Sequence, residues 1–412
     1  MKALFPAMVL IFGILLIAPD ASADQSQLYG RIYTVDNEVF EGFIRWDKNE
    51  AAWFDIIDGN KELDRVNRRH YRDRDRDRRH KEISIFGLTI YSEGEGSSWG
   101  WGNEAQSGIM MGHIKTLTPV GDNEVLLELK SGEEIELSGG SGDIGNDNRE
   151  ILIDDQKEGI IEIYWDDIDR IEFMPAEKRK SPFGQRLYGT LTTRRGEEFT
   201  GYVCWDMDEV FSDDILDGNE GRRKRKIEFG NIASIERRSS NSAIVTLKSG
   251  SDMKLDESND INSGNRGIVI SDLGLGAVKI DWDDFDRLEF KDAPEGPEYK
   301  RFDGGRKLHG TVITEDGEKY SGDIKWDDDE EYTWELLNGN IKDIELEIEF
   351  SNIKSIEKSS SRSSLVTLKD GRTYRLRGSN DVDNDNKGII ISDQRDETII
   401  DWDDFDSVEF SD

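Results

Sequence analysis

The chain has 412 residues, with 89 Asp and Glu against 54 Lys and Arg, a formal net charge of −35, and an apolar fraction of 35% that only equals its charged fraction. So acidic a chain opposes a nucleic-acid partner, and its single cysteine, Cys204, excludes an intramolecular disulfide. Disorder, which such a charge balance often signals, is opposed by 10 Trp, 11 Tyr and 17 Phe.

In chain order, residues 1–23 have the layout of a cleavable secretory signal: Lys2, an apolar run from Leu4 to Ala18, then Ala21-Ser22-Ala23. The run is shorter than the ~18 to 20 apolar residues a membrane span needs, and no later segment approaches that length. The expectation is a secreted or periplasmic protein, cleaved after Ala23, with no transmembrane segment.

Internal repetition organises the rest. LYGRIYTVDNEVFEGFIRWDKNE from Leu28 returns as LYGTLTTRRGEEFTGYVCWDMDE from Leu187 and as LHGTVITEDGEKYSGDIKWDDDE from Leu308. IEIYWDDIDRIEF, VKIDWDDFDRLEF and TIIDWDDFDSVEF end the three copies at Phe173, Phe290 and Phe410. The sequence therefore predicts repeat 1 over 24–174, a linker over 175–186, repeat 2 over 187–290, a linker over 291–307 and repeat 3 over 308–412. Both linkers are proline-bearing and lack alternation, as inter-domain connectors should. Each copy is itself doubled: Val312 to Tyr320 matches Val366 to Tyr374, and Ile348 to Glu357 matches Ile400 to Glu409.

The local pattern is all-β. GTVITEDGEKYSGDIKW alternates apolar and polar positions about a Glu-Asp-Gly turn, the signature of a hairpin with one buried face. Asp-Gly-Asn at Asp58 and Asp217 reads as a further turn, and the only helical candidate is a turn or two near Trp334, Leu336 and Leu337. Strand, DG turn, strand ending in Gly, then a β-branched pair ending in I-x-x-I resembles the small barrels of the SH3-like and Sm-like kind. That resemblance implies three tandem repeats, each a pair of barrel-like half-modules of about 50 residues, a size at which one core is marginal alone. It implies no particular activity.

Few motifs carry chemistry. Trp46, Trp205, Trp326, Trp165, Trp282 and Trp402 sit at equivalent strand ends and read as core, whereas Trp53, Trp99, Trp101 and Trp334 fall outside the pattern and read as exposed, Trp99 and Trp101 as faces for stacking on sugar rings. The Trp-Asp-Asp runs at Trp165, Trp282 and Trp402 read as solvated turns. Calcium is best served by Asp381, Asp383 and Asp385, spaced as in an acidic coordination loop, although Ser392 stands where an EF-hand needs its bidentate Glu. The equivalents are Asp143, Gly145 and Asp147 in copy one and Asp260, Asn262 and Gly264 in copy two, so that only the first Asp and a later Asn (Asn148, Asn265, Asn386) persist in all three. His70, His80, His113 and His309 show no metal spacing, and no nucleophile or phosphate-loop motif occurs in a sensible setting, so no enzyme and no cofactor is expected. Cys204 stands where the other copies have Arg45 and Lys325, an outward-facing position, and reads as a free, partly exposed thiol.

One feature departs from the acidic background. Copy one carries an insertion over 61–108 that contains RRHYRDRDRDRRHKE, and Arg68 to Lys81 holds eight Lys and Arg against three Asp. If extended, it places Arg72, Arg74, Arg76 and Arg78 on one face. Copy two carries Arg222, Arg223, Lys224, Arg225 and Lys226 in the equivalent loop, while copy three reads IKDIELE there. Two basic loops on an acidic body suit an anionic envelope component, an acidic protein or a second copy of the chain. The function read from sequence is a non-enzymatic binding or scaffolding protein of the cell envelope. A calcium- or glycan-binding adhesion module is the alternative and a carbohydrate-active enzyme ranks third.

Overall fold

The computed structural model describes residues 25–62, 84–85, 88–89, 104–139, 142–176, 179–393 and 396–411. Within them the chain is all-β: antiparallel strands joined by turns, with helix limited to three-residue 3-10 turns. The hairpin reading holds. Tyr188–Thr193 and Glu198–Cys204 pair across a turn closed by Gly196 at φ 86°, and Asn37 and Gly317 take the same left-handed place at φ 66° and 82°.

The segment 188–290 has ten strands: Tyr188–Thr193, Glu198–Cys204, Ile215–Glu220, Arg223–Glu228, Ile232–Ser239, Ser242–Leu247, Asp252–Asp256, Ile268–Asp272, Gly276–Ile280 and Phe285–Phe290. Across the sheet they run fourth, third, seventh, sixth, fifth, tenth, first, second, eighth, ninth. The segment from Tyr29 to Phe173 follows the same order in its own sheet. Between His309 and Phe410, eight strands do so in a third sheet, while Leu336–Ile341 and Ile344–Glu349 leave it to join the second.

None of the three sheets closes into a barrel. The reason is the tenth strand. Phe285–Phe290 pairs with both Tyr188–Thr193 and Ile232–Ser239, so it ties the two halves of its segment into one continuous sheet. Phe405–Phe410 does the same for the third segment.

Two other sequence readings need correction. Asp58-Gly59-Asn60 and Asp217-Gly218-Asn219 lie within the strands Ile56–Glu62 and Ile215–Glu220 rather than in turns. Glycine is needed there for close approach: a Cβ on Gly59 would stand 2.7 Å from Ile144 Cδ1, and one on Gly218 3.1 Å from Leu255 Cβ. Leu336 and Leu337 begin a strand, not a helix.

The three segments pack on one another. Gly276–Ile280 pairs edge to edge with Ile344–Glu349, with Gly276 opposite Ile348 and Lys279 opposite Glu345, and one apolar core runs through both segments. A second core fills the first segment and takes in Phe183 from the first connector, Tyr202 and Phe211 from the second segment, Tyr299 and Phe302 from the second connector, and Trp334. The proline-bearing connectors contribute to it: Tyr299 stacks near Trp53 at 4.5 Å and donates its hydroxyl to the Ile114 carbonyl at 2.8 Å. Gly304 N donates to His113 Nδ1 at 3.1 Å.

Candidate functional sites: buried carboxylates and a basic sheet edge

Three equivalent turns hold the most unusual chemistry. Each begins with a buried Trp and runs Trp-Asp-x-x-Glu: Trp46 to Glu50, Trp205 to Glu209 and Trp326 to Glu330. Two successive residues take left-handed φ in each, Asp47 and Lys48 at 41° and 73°, Asp206 and Met207 at 50° and 61°, Asp327 and Asp328 at 49° and 72°. The chain is held there by paired backbone bonds, Trp46 N to Glu50 O at 2.7 Å and Glu50 N to Trp46 O at 3.0 Å. This reversal turns the Asp carboxylate inward, and Asp47, Asp206 and Asp327 are all buried.

A second loop meets each turn. Asp143, Asp260 and Asp381 accept the Trp indole N–H on their carbonyls at 2.9, 2.8 and 3.0 Å. Their carboxylates reach the third strand, accepting from Asp58 N at 2.8 Å, Asp217 N at 2.6 Å and Asn338 N at 2.6 Å. Further on, Arg149 N and Arg266 N donate to Asp47 and Asp206 at 2.5 and 2.6 Å, and Lys387 N donates to Asp327. The sequence motif of an Asp followed by an Asn and a basic residue is thus the strap that closes the loop over the turn.

Carboxylates converge under these straps. One ligand oxygen each from Asp47, Glu50 and Asp143 lie within 4.8 Å of one another, all three residues buried, and Asp206, Asp208 and Glu209 form a similar group. Burial pushes Glu50 well above the usual carboxylate range, helped by Asp143 and Asp47. Burial does the same for Glu330, helped by Asp329 and Asp381, and raises Glu209 to about 10, helped by Asp208. Asp260 is raised to about 6 and Asp327 to about 7, again chiefly by burial.

Of the calcium loop read from sequence, only Asp381 faces this interior. Asp385 is exposed and its N–H donates to Asp383 Oδ1 at 2.9 Å, a surface turn. Sequence reasoning missed Asp47, Glu50, Asp206, Asp208, Glu209, Asp327, Asp329 and Glu330, although Trp-Asp-x-x-Glu recurs in all three copies and was the signal to find them.

The basic stretch of the second copy is not a loop. Arg223–Glu228 is a strand paired on one side with Ile215–Glu220, and it forms the outer edge of the twelve-stranded sheet. Arg222, Arg223, Lys224 and Lys226 are exposed, while Arg225 is half-buried and bonds Glu220 through Nε at 3.0 Å. Lys226 lies 3.8 Å from Asp217. The corresponding strand of the third segment, Ile344–Glu349, has its outer edge covered by Gly276–Ile280. Arg72, Arg74, Arg76, Arg78, Trp99 and Trp101 lie outside the described residues; their insertion joins the third and fourth strands of the first segment, Ile56–Glu62 and Glu104–Met110.

The six recurrent tryptophans are core, and Trp53 and Trp334, expected to be exposed, are buried as well because the first segment, the connector and the third segment close over them. Trp46 and Trp165, Trp205 and Trp282, and Trp326 and Trp402 meet edge to face with ring centroids 6.1, 6.3 and 6.1 Å apart. Cys204 is free and half-buried against the first segment, and burial pushes its thiol well up. No helix among the described residues is long and apolar enough to cross a membrane. No family model, curated protein or solved structure matches this chain.

Proposed function

We propose that this is a secreted or periplasmic, non-enzymatic repeat protein that binds or scaffolds at the cell envelope, engaging an anionic partner or itself through its basic stretches on an acidic body. The observation that carries this reading is the strand Arg223–Glu228. It is a sheet edge open on one side, with three exposed cations, Arg223, Lys224 and Lys226, and Arg222 in the turn before it, in a chain of net charge −35; an open edge is a template for strand addition, and like-charged side chains along it restrict that addition to a partner of opposite charge. The chain already uses that geometry internally, where Gly276–Ile280 adds to Ile344–Glu349. Long-range attraction would steer an acidic surface to it.

The repeat reading is supported by strand order. The three segments share one order, and exchanging strands one to five with six to ten maps that order onto its own reverse. Each repeat is then a pair of five-stranded, small-barrel-like units: strands three to seven form one, and strands eight to ten with one and two form the other. Such a unit offers edges and faces for binding rather than a singular catalytic pair, and the acidic groups recur threefold instead of occurring once.

The test is charge reversal at Arg222, Arg223 and Lys224, whose side chains carry no ion pair within the described residues. Capture of envelope fractions and self-association by sedimentation are both measured at low and at 0.5 M salt. Loss of salt-sensitive binding in the folded triple variant supports the reading; binding unchanged by the reversal overturns it. Self-association and capture of a foreign polyanion are told apart by whether purified protein alone sediments as an oligomer.

A further inference from the structure

The convergent carboxylates do more than brace a loop. Glu50 is 3% exposed and Glu330 6% exposed, and in both the Oε2 atom is buried with no hydrogen-bond donor; Glu209 Oε2 is in the same state. The second oxygen of Glu50 accepts from the Asn49 amide, and both oxygens of Asp47 are held by Arg149. An unpartnered carboxylate oxygen buried among other carboxylates is strongly unfavourable. It recurs at three equivalent positions, so it is a property of the repeat rather than an accident of one turn.

We propose that the turns Asp47–Glu50, Asp206–Glu209 and Asp327–Glu330, each with the facing Asp143, Asp260 or Asp381, are binding sites for a hard divalent cation of the calcium class. The donors are all carboxylate oxygens, which suit such an ion and not a soft one. Oxygens of Asp47, Glu50 and Asp143 in the first copy, and of Asp206, Asp208 and Glu209 in the second, lie within 4.8 Å of one another, as far apart as a cation bound at roughly 2.3 to 2.6 Å allows; the third turn enters by its equivalence and by the unpartnered Glu330 Oε2. The left-handed turn and the strap bring two loops distant in sequence, such as Asp47 and Asp143, to one point. In the first copy an ion there would join the second strand to the loop before the eighth strand. The reading from Asp381, Asp383 and Asp385 is thereby replaced, with Asp381 alone retained.

The competing account of the same geometry is that the Glu carboxyls stand protonated and share their protons with the Asp neighbours. The two accounts separate cleanly. Full-length mature protein is stripped with a chelator and titrated with calcium chloride at pH 7.5, and binding is followed by calorimetry, by melting temperature and by terbium luminescence excited through tryptophan. The buried Trp46, Trp205 and Trp326 adjoin the sites and would sensitise the emission. Expected results are two to three ions bound per chain, a melting temperature raised by about 3 °C or more at millimolar calcium, and terbium emission that calcium displaces. Glu50→Gln and Glu330→Gln, which keep shape and can donate to a neighbouring carboxylate, should each remove one ion, whereas Asp383→Asn with Asp385→Asn should remove none. Absence of calcium heat and of any melting shift up to 10 mM, with the Gln variants folded by circular dichroism and as stable as the parent, would overturn the proposal in favour of protonated carboxyls. Loss of binding on changing Asp383 and Asp385 would also overturn it, since it would return the site to the surface turn.

Discussion

The Arg186 guanidinium, buried, grips Asp55 across the boundary between the first and second segments, with Nη2 2.9 Å from Oδ1 and Nη1 on Oδ2. Asp55 also accepts from Ala51 N and Ala52 N at 2.7 and 2.8 Å, so one carboxylate both caps its own turn and receives a cation from another part of the chain. The arrangement recurs. Asp214 accepts from Val210 N and Phe211 N at 2.8 Å and from Arg45 of the first segment at 2.8 and 3.1 Å. Glu335 accepts from Tyr332 N at 2.7 Å and from Lys61 of the first segment.

Removing one partner of such a buried pair strands the other. Arg186→Ala should destabilise the protein by about 3 to 5 kcal/mol, read as a lower denaturant midpoint. Arg186→Met combined with Asp55→Asn should recover much of that loss, because no charge is then left unpaired. A single variant with an unchanged midpoint would show that the pair does not hold the two segments together.

The edge pairing of the second and third segments depends on Gly276. Its φ is 136°, and a Cβ there would stand 2.0 Å from the Glu347 carbonyl oxygen, so no other residue allows this approach. Gly276→Val should break the ladder between residues 276–279 and 345–348, faster amide exchange there being the readout. Exchange in Tyr188–Thr193, which belongs to the interior of the sheet, should be unaltered.

Stability should fall as pH rises. Glu347 is buried where the three segments meet, and burial, with Asp58 and Glu345 nearby, raises it well above its ordinary value despite Lys279. Asp58, raised to about 7 by burial, faces the same crevice with Lys61 and Glu335. A carboxyl whose folded value exceeds its unfolded value of about 4 binds its proton more tightly in the folded state. The resulting stabilisation is full below about pH 4 and is lost as pH climbs through the folded value, placing Asp58's share between about 4 and 7. Chemical denaturation in chelator at pH 5 and pH 8 should show the drop, and Glu347→Gln should reduce it by raising stability at pH 8. A flat profile in the native chain would contradict this.

Cys204 should react slowly. Its thiol is pushed up by burial between two segments, and the thiolate is the reactive form. Iodoacetamide labelling at pH 8 should be far slower in native protein than in denaturant; equal rates would mean the first segment does not cover this strand.

Much of the fold was legible because strands advertise themselves locally. The alternation of Thr311 to Ile324 about Asp316-Gly317, and the six Trp at equivalent strand ends, depend on neighbours a few residues away, and hairpins and core positions followed from them. What escaped was decided by approach between distant segments. Asp-Gly-Asn reads as a turn in isolation, yet it is strand because Ile144 and Leu255 close on Gly59 and Gly218. Arg45 and Cys204 occupy the outward face of their strand, as the alternation requires, but the face is covered because a neighbouring segment packs on it. Arg222 to Lys226 reads as a loop because it follows Asp217-Gly218-Asn219, whereas from Arg223 on its backbone pairs with Ile215–Glu220.

The same division separates the basic edge from the carboxylate sites. Charge is a property of composition, so the sequence alone determined that two stretches are basic on an acidic chain and that Trp-Asp-x-x-Glu recurs three times. Only the tertiary structure brought Asp143 to Asp47 and Glu50, residues about a hundred positions apart. Convergence of like charges runs against local electrostatics, and only a buried turn and strap that over-determine their positions can impose it.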